Sequence, residues 1–177
     1  MVPTINDVTW AQEVSSWTVE ASKNGVVMPN GELKPTMLPK TLEQVLGLFS
    51  YGWSMIVETE GLAVAHAAIT FEWPEGWLEI GGVVTKKEYR KLGYASMAVN
   101  ALMVMVKHNF PDKKLFALCN SLSLPLFIGL GGVVSEGKEL PSEVWKECEN
   151  CSNFVRARAA GKLCCDTPVN MTLADMR

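Results

Sequence analysis

The feature that most constrains this fold is a strand that leads through a glycine-containing turn into a long apolar helix. Residues Leu78 to Thr85 are mostly β-branched or apolar and predict a strand. Residues Gly93 to His108 are apolar almost all round and predict a long, buried helix. The sequence also predicts a hairpin before this strand and helix. Strands in a hairpin followed by a strand and a long helix are typical of a mixed sheet with helices on its faces.

The turn between strand and helix has the features of an anion-binding site. The first amides of a helix have no partner within it, and the helix dipole favours negative charge there. Gly93 and Ala95 are small enough for a ligand to approach the backbone, and Arg90 and Lys91 add positive charge. The glycine spacings of the Walker and dinucleotide-binding loops are both absent. A basic loop before an ordinary helix is the simpler alternative to a pyrophosphate site.

The rest of the chain predicts helices and strands in a recognisable order. Two amphipathic helices come first, then a hairpin that turns at Glu60-Gly61, and further short elements follow the long helix. These segments are Thr9 to Ser22 and Pro39 to Ser50 (helices), Trp53 to Thr59 and Leu62 to Phe71 (hairpin), Leu115 to Cys119 (strand), Leu122 to Leu130 (helix) and Val133-Val134 (strand).

Composition narrows the class of protein. The 177 residues suit one domain with a short appendage, and 48% hydrophobic residues are enough for a core. A net charge of −3 gives no overall attraction for nucleic acid. The first residues have no signal-peptide pattern, and no apolar run is long enough to span a membrane. We therefore expect a cytoplasmic protein with neither a nucleic-acid nor a membrane partner.

Two sequence motifs resemble those of the GNAT superfamily of acyl-CoA-dependent N-acetyltransferases. The run Arg90-Lys91-Leu92-Gly93-Tyr94-Ala95 matches the signature Arg/Gln-x-x-Gly-x-Gly/Ala. Downstream, Asn120, Ser123, Phe127 and Gly131 fall where the family often has Asn-x2-Ala-x3-Tyr-x3-Gly. The two motifs occur in the right order and on the expected elements, and the resemblance covers Pro39 to Val134.

The resemblance implies a fold and an organisation of the chain. The fold is a mixed, mostly antiparallel central sheet with helices on both faces and a splayed pair of parallel strands, followed by a Cys-rich tail. We expect an acyltransferase domain over 1–140, with a helical segment at 1–50 and a CoA-binding core at 51–134. Residues 141–177 would form an extension packed on that domain.

The resemblance also implies which residues bind acetyl-CoA. The amides from Lys91 to Ser96 would hold the pyrophosphate, and the strand backbone would pair with the pantetheine arm. Asn120 would lie beside the pantetheine or the thioester. The full set expected to bind the cofactor is Val83, Val84, Thr85, Arg90, Lys91, Leu92, Gly93, Tyr94, Ala95, Ser96, Asn120, Ser123 and Phe127.

Acyl transfer to an amine needs a base, a polarised carbonyl and a proton for the leaving thiolate. Glu79 is the candidate base, because some family members have a Glu at this spacing, although an ordinary outward-facing strand residue explains it equally well. The Val84 amide is the candidate for polarising the carbonyl. Phe127 replaces the Tyr that often supplies the proton, so Tyr94, Tyr89 or Cys119 could act through water, or solvent could protonate the thiolate. His66 could be a base that faces the substrate cleft, but we expect a structural strand histidine with its hydrogen bonds satisfied.

Four cysteines crowd the C-terminal tail: Cys148, Cys151, Cys164 and Cys165. They supply enough soft ligands for a tetrahedral, structural Zn²⁺. The second pair is vicinal, however, and binds one ion less readily, so reduced thiols are the alternative.

The sequence predicts an N-acetyltransferase that transfers an acetyl group directly from acetyl-CoA to a primary amine, as a monomer or homodimer. Absence of an evident nucleophile constellation favours transfer within a ternary complex. A non-catalytic acyl-CoA-binding module, prompted by Phe127, and a zinc-stabilised interaction module are the alternatives.

Overall fold

The computed structural model describes residues 1–23, 26–27, 33–34, 37–150, 165 and 167–172. Its helices are α1 (Val8–Lys23), α2 (Leu42–Ser50), α3 (Tyr94–Asn109), α4 (Leu124–Gly129) and α5 (Ser142–Asn150). Its strands are β1 (Val26–Val27), β2 (Leu33–Lys34), β3 (Ser54–Thr59), β4 (Leu62–Trp73), β5 (Trp77–Thr85), β6 (Lys114–Cys119), β7 (Val133–Val134) and β8 (Thr167–Met171).

Six of the strands form one sheet in the order β3-β4-β5-β6-β8-β7, and β1 and β2 form a separate pair. The β3/β4, β6/β8 and β7/β8 ladders are antiparallel, whereas β5 and β6 are parallel. The parallel ladder covers only Trp77 to Glu79 of β5, although that strand continues to Thr85. The predicted fold class is confirmed: a mostly antiparallel sheet with one parallel pair and helices around it.

The chain divides into two compact units, of which the first comprises Met1–Thr70 and Gly81–Met105. Its core contains the inner face of α1, the side chains of Val45 and Phe49 from α2, and Val84 from β5. Thr41 caps α2 through a capping box with Gln44, which satisfies two amides at the start of this short helix. The helix spacing seen in the sequence therefore corresponds to real buried faces.

The second unit comprises Phe71–Ile80 and Val106–Arg177. Trp73, Trp77, Phe116, Leu140 and Val144 form its aromatic-rich cluster. Within this unit β8, which lies in the tail, pairs with both β6 and β7. The sequence reading missed β8 and α5, and the expected boundary between 1–140 and 141–177 stays a prediction.

Helix α3 departs from its sequence-based expectation. Ala98, Val99 and Leu102 are fully buried, but Met97 is 54% exposed and Val104 is 50% exposed. The predicted burial therefore holds for only part of the helix surface, because apolar side chains also occupy its exposed face. Within the described ranges, no helix combines the length and apolarity that crossing a membrane requires.

Candidate active site

The turn between β5 and α3 presents backbone amides at the start of the helix. A short 3-10 turn, Lys87–Tyr89, follows β5. Lys91 and Gly93 then adopt left-handed conformations, with φ of 63° and 86°, before α3 begins at Tyr94. The first bond that closes the helix runs from Met97 N to Gly93 O at 3.1 Å. The amides of residues 94 to 96 therefore have no carbonyl partner within the helix.

An open pocket of about 340 Å³ lies at this turn. Arg90 and Lys91 bring two positive charges to it, and none of its lining residues is acidic. The Arg90 Nε donates to the Thr85 carbonyl oxygen at 3.1 Å, which ties the guanidinium to the end of β5. The pocket is lined by Thr85, Tyr89, Arg90, Lys91, Gly93, Tyr94, Ala95 and Ser96. It therefore combines amides, the positive end of α3 and two cations, the features that favour an anionic ligand.

Most of the binding residues expected on this stretch line the pocket. Leu92 is instead exposed, Val83 is half-buried and Val84 is buried. Tyr89 lines the pocket although it was absent from the expected binding set. Its ring packs edge-on against that of Tyr94, with the two ring centroids 6.0 Å apart. Its place directly before the arginine of the motif was the signal that could have included it.

His66 and Gly82 are linked at the strand that leads to the pocket. The His66 ring is fully buried, with Nδ1 2.8 Å from the Gly82 carbonyl oxygen and Nε2 3.1 Å from Ser54 Oγ. Burial lowers the pKa of His66 to about 4, and the nearby Lys40 charge also lowers it, against the raising effect of the Gly82 carbonyl. The ring is neutral at pH 7, and the prediction of a structural histidine is confirmed.

Glu79 lies on β5 at the last pair of the parallel ladder, opposite Phe116. Its Oε2 accepts a hydrogen bond from Trp73 Nε1 at 3.0 Å, and its side chain is half-buried. The indole fixes the orientation of the carboxylate, which is what a proton acceptor on a rigid strand requires.

The second motif follows β6 and forms a local network. The Asn120 side-chain oxygen accepts hydrogen bonds from the backbone amides of Leu122 and Ser123 at 2.9 and 3.0 Å. In return, Ser123 Oγ accepts a hydrogen bond from the backbone amide of Asn120 at 3.1 Å. Phe127, from α4, is only 3% exposed. In the structure these residues fix the turn into α4, and their expected contact with a cofactor stays a prediction.

Cys119 precedes this network and is fully buried. Burial raises the pKa of its thiol to about 11, and a hydrogen bond with Ser123 only partly offsets this. The thiol is therefore protonated at neutral pH and is a poor nucleophile.

Comparison with known proteins identifies the family. The sequence model of the Acetyltransferase (GNAT) family matches residues 29–130. This chain belongs to the GNAT family. It is an acyltransferase, and its pocket lies on the turn that carries the family's glycine motif. No curated protein sequence is similar enough to this GNAT chain to count as a match.

Solved structures share the fold of this GNAT protein at low sequence identity. Rv2747 from Mycobacterium tuberculosis, in complex with CoA, is 15% identical with a TM-score of 0.66, over 97% of each chain. YncA from Salmonella typhimurium, with acetyl-CoA, is 12% identical with a TM-score of 0.62, over 96% of this chain and 92% of its own.

N-acetylglutamate synthase from Neisseria gonorrhoeae, complexed with CoA and N-acetyl-glutamate, is a much longer protein that shares this fold over part of its length. It is 15% identical with a TM-score of 0.65, and the match covers 93% of this chain but 33% of the synthase. The matched part of this chain thus corresponds to about a third of the synthase.

Most of the cysteines expected to bind zinc lie outside the part of the chain that the structure describes. Cys151 and Cys164 lie outside the described residues, as does the side chain of Cys148. Among the side chains that the structure does describe, no group of three or more His, Cys, Asp or Glu could hold a metal ion. The zinc site in the tail stays a prediction.

Proposed function

We propose that this protein transfers an acetyl group from acetyl-CoA to the primary amine of an acceptor, directly and within a ternary complex. The observation that carries the proposal is the positively charged pocket at the start of α3. Pyrophosphate carries two negative charges on oxygen atoms that accept hydrogen bonds, so the amides of residues 94 to 96 and the side chains of Arg90 and Lys91 are suitable partners.

The strand that leads into this pocket would bind the rest of the donor. The backbone of Val83, Val84 and Thr85 is proposed to pair with the amides of the pantetheine arm, as an added strand would. The Val84 amide is proposed to donate to the thioester carbonyl oxygen, where negative charge develops as the amine attacks. Backbone donors suit this role because β5 holds them in place before the substrate arrives.

Glu79 is proposed to take the proton from the acceptor ammonium. The neutral amine then attacks the thioester carbon, and the tetrahedral intermediate loses its second nitrogen proton to solvent. The C–S bond breaks and the CoA thiolate leaves. Phe127 has no proton to give, so we propose that solvent protonates the thiolate. Tyr94 lines the proposed phosphate pocket, and the pantetheine arm separates phosphate from thioester, so a binding role suits Tyr94 better than proton donation.

The buried Cys119 supports direct transfer. A ping-pong route would need a thiolate that attacks acetyl-CoA, whereas burial keeps this thiol protonated. A cytoplasmic location and a small number of subunits, one or two, remain parts of the proposal that rest on the sequence alone.

The experiment that tests the function is release of CoA thiol from acetyl-CoA across a panel of amines. The panel contains a polyamine, an aminoglycoside, free amino acids and a peptide with a free N-terminus. Thiol release that depends on one class of amine, with the acetylated amine found by mass spectrometry, supports the proposal. Tight acetyl-CoA binding with no acceptor-dependent release would instead favour a non-catalytic acyl-CoA-binding module.

Glu79→Gln tests the base once an acceptor is found. Removing a general base costs about 100-fold or more in kcat, while acetyl-CoA affinity should stay within about twofold. Trp73→Phe is the matched control, because it removes the N–H donor to Glu79 and keeps an aromatic ring, although a smaller one, and the carboxylate. A Glu79→Gln enzyme whose pH-rate profile matches that of the parent would exclude Glu79 as the base.

A further inference from the structure

Strand β5 changes direction at Gly82, immediately before the segment proposed to bind the acyl-CoA arm. Gly82 has a φ of 58°, a left-handed conformation inside a strand. A residue in that conformation rotates the peptide groups that follow it, so the directions of the Val83 and Val84 amides depend on it. Something must hold this conformation in place, because glycine has no preference of its own for it.

The structure supplies a side-chain relay that holds Gly82. The Gly82 carbonyl oxygen can only accept, so the His66 nitrogen 2.8 Å away, Nδ1, is the one that carries the proton. Nε2 must then accept from the Ser54 hydroxyl at 3.1 Å. Ser54 comes from β3, His66 from β4 and Gly82 from β5, so the relay connects three adjacent strands.

The packing around Gly82 is as specific as its hydrogen bond. A Cβ atom at this position would lie 3.5 Å from His66 Cε1 and 3.3 Å from the Lys40 Cε atom. The imidazole edge and the lysine stem therefore cover the backbone of Gly82 directly. His66 and Ser54 are both fully buried, which keeps water from competing for the ring nitrogens, while Gly82 itself is half-buried.

We propose that His66 is a positioning residue for acyl transfer: its hydrogen bond to the Gly82 carbonyl, anchored by Ser54, aims the Val83 and Val84 amides at acetyl-CoA. This inference rests on the proposed function of that strand. His66 acts through the backbone and touches no substrate, since both of its ring nitrogens already have protein partners.

Two variants of His66 separate positioning from simple support of the fold. An Asn side chain carries an N–H near the place of Nδ1, so His66→Asn keeps a donor to Gly82, whereas the longer amide of His66→Gln reaches towards Ser54 instead. We expect His66→Gln to lower kcat/KM for acetyl-CoA about tenfold, because a displacement of the Val83 and Val84 amides by about 1 Å slows catalysis markedly. His66→Asn should stay within about threefold of the parent.

Stability measurements by urea unfolding accompany the kinetics, with Val144→Ala as a control. Val144 is buried in the cluster of Trp73, Trp77, Phe116 and Leu140 and has no role in the relay. Both His66 variants and Val144→Ala should be destabilised, but only His66→Gln should lose kcat/KM for acetyl-CoA. Activity that falls in step with stability across all three variants would overturn the positioning role.

Ser54→Ala provides a second test if the His66 variants fail to fold. It removes the anchor of the relay and leaves the ring, so KM for acetyl-CoA should rise about threefold. An unchanged KM and kcat in Ser54→Ala would contradict the proposal. If the parent protein neither binds acetyl-CoA nor transfers its acyl group, both proposals fail, whereas an active parent with equal His66→Gln and His66→Asn activities overturns the relay alone.

Discussion

The two segments that carry the GNAT motifs are built in opposite ways. Residues 85 to 96 present backbone amides and two exposed cations around an open pocket. Residues 119 to 127 use their motif side chains within the fold: Asn120 accepts from the backbone amides of Leu122 and Ser123, and Cys119 and Phe127 are buried. We refer to them as the phosphate turn and the asparagine turn.

This difference predicts how each segment responds to mutation. The phosphate turn should tolerate loss of a side chain and fail when negative charge is brought to its amides, since these amides are its main donors. The asparagine turn should respond mainly through stability, because one side-chain oxygen satisfies two backbone amides. The following variants test that contrast.

Gly93→Asp should have the largest effect and abolish CoA binding. A Cβ at Gly93 meets nothing within 4 Å, so a side chain has space there, although the φ of 86° strains any residue with a Cβ; Asp would also bring a carboxylate to the phosphate turn. Two like charges about 4 Å apart near a surface repel by about 4 kcal/mol, which corresponds to about a thousandfold in Kd. Isothermal titration with CoA measures this.

Gly93→Asn is the matched control for that charge. Asn has the same shape as Asp and tolerates the φ of 86° at Gly93 about equally well. It should therefore bind CoA far more tightly than Gly93→Asp. Equal affinities in the two variants would show that charge at this turn is irrelevant to binding.

Asn120→Ala should lower the free energy of unfolding by about 2 kcal/mol, because two backbone amides lose their acceptor. Asn120→Asp keeps an acceptor oxygen and should recover most of that loss. Urea unfolding of both variants provides the measurement. An Asn120→Ala protein as stable as the parent would contradict the claim that the asparagine turn responds to mutation mainly through stability.

Arg90→Ala should weaken CoA binding only about fivefold, because Arg90 is exposed and its charge is screened by salt. Arg90→Lys keeps the charge and should lose about half as much in free energy. The gap between the parent and Arg90→Ala should shrink as salt concentration rises. If the difference in CoA affinity between the parent and Arg90→Ala does not change with salt, the guanidinium acts through its hydrogen bond to the Thr85 carbonyl instead.

Cys119→Ala should have the smallest effect, leaving kcat within about twofold of the parent. Its buried, protonated thiol has no role in direct transfer. Initial rates with acetyl-CoA and an accepted amine test this. A folded Cys119→Ala protein without activity would point to an acyl-cysteine intermediate and overturn the direct route.

Sequence predicted the elements whose patterns are local. The hairpin, β5, α3 and β6 each show their own periodicity, and the glycine motif placed the phosphate turn. Strand β8 was not predicted, because Pro168 lies within it and proline has no backbone N–H to donate to a sheet ladder. Its position between β6 and β7 depends on partners far away in the chain.

The chemistry of individual side chains was harder to predict. The His66 relay needs three strands in register, and no local pattern reveals that Ser54 and Gly82 meet the same ring. The local bonds of Asn120 were equally hidden, because the motif that contains it suggested a ligand contact. Met97 and Val104 show that an apolar helix face can remain exposed, so hydropathy alone did not predict which faces of α3 are buried.

The most direct test of the account is a crystal structure of this protein with CoA bound. The account predicts pyrophosphate oxygens at about 3 Å from the amides of residues 94 to 96, with Arg90 and Lys91 beside them. CoA bound with its pyrophosphate away from the start of α3 would contradict it.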